Sequence, residues 1–112
     1  MCTKNQLNIV TSAVAKEANY ILGDKLDAVV LYGSYARGDF DDESDIDIMV
    51  RIDCPVDLLE SYENAFNLLS SRLSLDNDVT VSITLRDKDT FNRFKKTLPF
   101  YSNIEREGIR IA

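Results

Sequence analysis

Two short apolar runs, joined by a glycine turn and an acidic segment, constrain this chain more than any other feature. Ala28 to Tyr32 (AVVLY) reads as a buried strand, and Ile46 to Ile52 (IDIMVRI) alternates apolar and polar at period two, as a half-buried strand does. Between them lies GSYARGDFDDESD, so the chain leaves one strand through Gly33-Ser34 and enters the next through Asp45 and Asp47. Strand side chains at i and i+2 point the same way, which puts both aspartates on one face and Ile46, Ile48, Val50 and Ile52 on the opposite, core-facing side. The Cα atoms of Asp45 and Asp47 should lie about 6.6 Å apart. Two carboxylates so close repel unless a cation neutralises them.

The turn complements the acids. Gly33 lets the backbone approach a ligand with no Cβ in the way, and Ser34 offers a hydroxyl and an N–H, as in an anion-binding nest. Arg37 adds a guanidinium whose fork suits phosphate oxygens. Each has a blander reading: a turn, a solvated strand face, a surface charge. In combination they form a candidate site, with Gly33, Ser34 and Arg37 for phosphate and Asp45 and Asp47 for metal. Carboxylate and phosphate oxygens favour a hard cation, Mg2+, with Mn2+ able to substitute, so the pattern suggests a metal-bound nucleoside triphosphate.

Two competing motifs fail. Gly33 and Gly38 have P-loop spacing, but Asp39 and Phe40 stand where that loop needs Lys and Ser or Thr. The acidic run from Asp39 lacks the glycine that a calcium loop needs at its sixth position, counted from Asp39 or from Asp41.

The pattern G-S-x10-D-x-D, in its fuller form GSYARG…SDIDIMV, resembles the minimal nucleotidyltransferases of the DNA polymerase β-like nucleotidyltransferase superfamily. The resemblance runs from the first helix through NIEREGI (Asn103 to Ile109). It implies an α/β (α+β) fold, a mixed sheet flanked by helices. It also implies transfer of a nucleoside monophosphate to a hydroxyl, with release of pyrophosphate. By position, Gly33 and Ser34 would hold the triphosphate, Asp45 and Asp47 would ligate magnesium, and Arg37 would assist at the phosphates. The family often has a third carboxylate on a later strand. Here that strand is expected at Val79 to Leu85, with Ser82 at the third acid's place and Asp78 as a substitute from the strand's start. Minimal members resemble the antitoxin half of pairs whose toxin is a HEPN-domain protein. That implies an adenylyltransferase moving AMP from ATP to a tyrosine of a HEPN partner. A non-catalytic module that neutralises its partner by contact, and an antibiotic-type enzyme modifying a small molecule, are the alternatives.

Composition narrows the field. A chain of 112 residues with 45% apolar content supports one domain, 1–112. No apolar stretch reaches membrane-span length and no signal peptide begins the chain, so a cytoplasmic protein is expected. A net charge of −6 argues against broad nucleic-acid binding. With no histidine, Ser-His-Asp, Cys-His and His-dependent zinc sites are excluded. Cys2 and Cys54 are far apart and no disulfide is expected, with Cys54 an inert packed residue.

Further elements complete the reading. A helix over 5–22 carries the stripe Leu7, Val10, Val14, Ala18, Ile21 and Leu22, ended by Gly23. A second is expected over Val56 to Leu73, with Leu58, Leu59, Tyr62, Phe66, Leu69 and Leu73 buried. Asp76-Asn77-Asp78 reads as a turn. A short helix over Lys88 to Lys96 should stop at Leu98-Pro99, and the last residues form one helical turn and a short strand near Gly108. The late aromatics Phe91, Phe94, Phe100 and Tyr101, close to Lys95 and Lys96, either pack on the sheet or form a partner-binding surface.

Overall fold

A computed structural model describes residues 3–112; Met1 and Cys2, with the expectation about Cys2, lie outside the described residues. Helix α1 (Lys4–Leu22) begins where Thr3 and Gln6 bond reciprocally, the Thr3 hydroxyl accepting from the Gln6 N–H and the Gln6 side chain from that of Thr3. Val10, Val14, Ala18 and Leu22 are its buried stripe. Four strands follow: β1 (Leu26–Tyr32), β2 (Ile46–Ile52), β3 (Val81–Asp87) and β4 (Ile109–Arg110). They lie in the order β3-β2-β1-β4, antiparallel at β1–β2 and β1–β4 and parallel at β2–β3. The fold is therefore the expected mixed sheet flanked by helices.

A parallel pair needs a long crossover, supplied here by α3 (Glu60–Asn77). With α1 it covers one sheet face: Val10, Val14, Phe66, Leu69 and Leu73 pack on Val29, Leu31, Ile46, Ile48, Val50 and Ile52. The other face is covered by α4 (Lys88–Phe94) and α5 (Pro99–Glu107), where Phe91 and Ile104 bury Ala28, Val30 and Met49. So β2 is not half-buried along its length. Its second face is dry at Met49 and opens only near its ends, at Asp47 and Arg51.

Several boundaries differ from expectation, each for a local reason. Val56–Leu58 is a separate 3-10 turn, and Leu58 is exposed rather than buried. Helix α3 continues through Asp76 and Asn77 and ends with Asp78 in the left-handed conformation (φ 51°, ψ 47°). Ser74 then accepts from the Val81 N–H (2.9 Å) and Ser70 donates to the Val81 carbonyl, so β3 begins at Val81 and not at Val79. At its other end β3 runs to Asp87, whose carboxylate caps α4 by accepting from the Thr90 N–H (2.9 Å). Pro99 begins a helix as well as following one: it sits in the first turn of α5, where a missing N–H costs nothing. Cys54 is buried in the larger core cluster, as expected.

Candidate active site

Strand β1 ends at Tyr32, and Gly33 turns the chain into the one-turn helix α2 (Ser34–Arg37). Gly33 has φ 76° and ψ −155°, a region that side chains avoid. A Cβ built on it would sit 2.5 Å from Asp47 Oδ2. Backbone conformation and space therefore both require glycine, and the reason is a carboxylate pressed against the turn. The acidic loop 39–45 is tied down from two sides. Phe40 stacks on buried Tyr35 at 4.5 Å between ring centroids, and Asp41 Oδ1 accepts from the Glu43 N–H (2.9 Å) and the Ser44 hydroxyl (3.3 Å). Asp45 comes to rest one residue before β2, beside Asp47.

The electrostatics at Asp47 are only partly relieved. The Asp47 carboxyl is raised above the ordinary range, first by burial, then by the Asp45 charge, with Arg37 opposing. Among the described residues no Lys or Arg pairs directly with Asp47. Arg37 is exposed and held by Asp39 (3.1 Å) and Glu107 (3.7 Å), and Asp39 is the main reason its guanidinium binds its proton more tightly. Asp47, against the glycine turn and without a cation contact, with the Asp45 charge acting on it, has the chemistry of a ligand for a hard divalent ion. No group of three or more His, Cys, Asp or Glu that could hold a metal occurs among the described residues. Remaining ligands would have to be water or substrate oxygens, the usual situation for magnesium at phosphates.

Gly33, Arg37 and Asp47 are thus brought together, and Asp45 joins through its field. The third-acid position resolves differently from one expectation. Ser82 lies in register with Asp47 on the adjacent parallel strand, sharing its face. Asp78 is not on that strand. It is the exposed cap of α3, and it lines a separate cleft of ≈ 170 Å³ with Asp45, Asp42 and Glu43. Strand alternation never reaches Asp78, because residues 78–80 form the helix-ending turn.

The sequence did not point to the wall opposite the turn. A cavity of ≈ 190 Å³ is lined by Gly33 and Arg37 on one side and by Phe100, Asn103, Ile104 and Glu107 of α5 on the other, with Tyr32 between. Those four α5 positions follow the i, i+3, i+4, i+7 spacing of one helix face. That signal was present but hidden behind Pro99. The Tyr32 hydroxyl hydrogen-bonds with Thr84 across β2 (3.2 Å), and burial raises its pKa.

One end of the mixed sheet thus gathers the Gly33 turn, Arg37 and the Asp47 carboxyl beside an open cavity. A family model described as a nucleotidyltransferase domain matches residues 15–111: the chain belongs to that family and is a nucleotidyltransferase. The family generally uses a divalent metal. The chain is 36% identical over 98 residues to "Putative protein adenylyltransferase MJ0141" of Methanocaldococcus jannaschii, covering 86% of this chain and 89% of that one. It is similar in fold to a crystal structure of a toxin–antitoxin with AMP-PNP (TM-score 0.57, 20% identity, 91% of this chain and 72% of that one). A "putative nucleotidyltransferase" from Sulfolobus solfataricus is comparably similar (TM-score 0.57, 24% identity, 95% and 78%).

Proposed function

We propose that this nucleotidyltransferase moves AMP from ATP, with magnesium, onto a tyrosine of a HEPN-domain toxin partner and so serves as its antitoxin in the cytoplasm. The observation that carries the reading is the acid pair: Asp47 is packed against Gly33, repelled by Asp45 and without a cation in contact. Asp45 and Asp47 would hold the divalent ion, which when bound supplies charge stabilisation at the phosphates and acidifies the acceptor hydroxyl. Gly33 and Ser34 receive the triphosphate, the glycine by close backbone approach and the serine through its hydroxyl and N–H. Arg37 exchanges its 3.7 Å contact with Glu107 for phosphate oxygens. The acceptor oxygen attacks the α-phosphorus in line, the new P–O bond forms as the bond to the β-phosphate's bridging oxygen breaks, and pyrophosphate leaves. The chain's residues act mainly by position and field.

Ser82 bears on the acceptor. A serine beside Asp47 cannot take the proton that a third carboxylate would take. A phenol, with pKa about 10, gives up its proton to water far more readily than an aliphatic hydroxyl. Tyrosine is therefore the acceptor that asks least of such a site. The protein adenylyltransferase name of the M. jannaschii relative supports a protein acceptor, and the AMP-PNP in the toxin–antitoxin structure of like fold supports an adenine nucleotide as donor.

The same serine favours a second reading, in which the fold binds and neutralises its partner without catalysis. The two separate in one assay: purified protein, magnesium, α-labelled ATP and the product of the neighbouring gene. Label on the partner that disappears with Asp45→Asn supports transfer. No label, with a stable complex and neutralisation kept in the Asp45 and Asp47 variants, supports the contact module.

A further inference from the structure

The chain is electrically divided. Residues 1–78 carry six Lys and Arg against fifteen Asp and Glu, whereas residues 79–112 carry seven against four. The positive part forms β3 and the α4–α5 layer. Most other arginines are spent on carboxylates: Arg37, Arg51, Arg72 and Arg106 are all in ion pairs. Among the described residues Arg86, Arg93, Lys95 and Lys96 are paired with none.

Two of these cations, Arg86 and Arg93, border an aromatic path, and Lys95 and Lys96 follow Phe94 directly in the chain. Arg93 lies over the Phe94 ring (5.9 Å), Phe94 meets Tyr101 (6.1 Å), Tyr101 meets Phe100 edge-on (5.3 Å), and Arg86 lies over Phe100 (5.2 Å). Leu98 and Phe100 are exposed on it, at 43% and 37%. Phe100 also lines the cavity that contains Gly33 and Arg37, so the path runs to the edge of the site. An apolar, aromatic centre with a charged rim is how protein interfaces are built.

We propose that this α4–α5 surface docks the acceptor protein through an acidic patch on that partner, holding its hydroxyl next to the turn. This rests on the reading of the site as one that modifies a protein. Complementary charge decides the partner's sign. A polynucleotide is disfavoured because the acidic loop 39–45, with Asp39, Asp41, Asp42 and Glu43, borders the same site and would repel a phosphate backbone.

The test uses the whole chain and three probes: a random glutamate–tyrosine copolymer, a lysine–tyrosine copolymer and poly(U). Binding is measured without nucleotide by fluorescence anisotropy, for the wild type and for an Arg93→Glu/Lys96→Glu variant whose fold is checked by its melting curve. The proposal expects the glutamate–tyrosine copolymer to bind, with affinity falling about tenfold in the variant and falling with salt, while the other probes bind weakly or not at all. No binding of that copolymer, binding unaffected by the charge reversal, or poly(U) binding as tightly with the same dependence would each overturn it. AMP transfer is scored separately, with Asp45→Asn as control. Charge-dependent binding with no transfer leaves the docking surface standing and counts against the adenylylation reading instead.

Discussion

Strand β2 carries two charged residues on the same face, four positions apart, and the protein treats them in opposite ways. Arg51 is compensated: its Nε donates to Asp27 (2.5 Å), and its guanidinium lies 4.5 Å above the Phe91 ring. Lys88 also reaches Asp27, at 3.8 Å. Asp47, at the other end, meets a like charge and a glycine, and its carboxyl is pushed up. Between them Met49 is sealed under Phe91 and Ile104. A charge that the fold neutralises is structural. Asp47, which the fold leaves without an ion pair, is the charge that the proposed site would use.

Substitutions at the two ends should therefore fail in different ways. Asp45→Asn or Asp47→Asn should lower AMP transfer by about 10²–10³-fold or more while the far-UV spectrum and melting cooperativity remain. Equal loss of fold and activity would erase the distinction. Arg51→Met should do the reverse. It leaves Asp27 largely buried beside only the longer Lys88 contact and removes the stacking on Phe91, costing up to about 3 kcal/mol by denaturant titration. Transfer measured well below the melting point should hardly change.

Gly33→Ala tests the contact between turn and acid. The unfavourable φ alone should cost about 1–3 kcal/mol, and the added methyl must displace the Asp47 carboxylate, so activity should fall as well. An alanine variant with full activity would mean that the close approach does not matter.

The smallest effect is on pH dependence. A carboxyl raised in the folded state contributes stability below its unfolded pKa, and that contribution is lost as pH rises through the folded value. Without metal, stability should fall as pH rises from 3.8, the ordinary value, through the titration of Asp47. Asp47→Asn should remove that decline, and magnesium should oppose it in the wild type. Thermal melts across this range read all three.

The legible part of the molecule was its most local part. β2 declared itself by the recurrence of Ile46, Ile48, Val50 and Ile52 at every second position, which put Asp47 and Arg51 on the opposite side; Asp45 falls one residue before the strand, where alternation no longer fixes its direction. The Gly33-Ser34 turn was legible because it follows an unbroken apolar run. What stayed hidden depends on contacts distant in sequence or on ambiguous punctuation. Val79 belongs by composition to the β-branched run of β3, but Ser74 and the left-handed Asp78 hold back the strand's start. Pro99 reads equally well as a stop and as a first-turn residue, so the sequence gives only a late helical turn near Ile104, and the start of α5 with its face of Phe100, Asn103 and Glu107 is not legible. The burial of Met49 could not be read from β2 at all, because alternation shows which side a residue faces and not what covers it.

The central claim is that the acid pair is left open for a metal-bound nucleotide. The most direct measurement is calorimetric titration with a non-hydrolysable ATP analogue, with and without magnesium, on the wild type and Asp47→Asn. The account predicts binding that requires magnesium and weakens at least about tenfold in the variant, a difference of about 1.4 kcal/mol. Equal affinity in all four titrations would contradict it, and would leave the two carboxylates as no more than the exposed end of a strand.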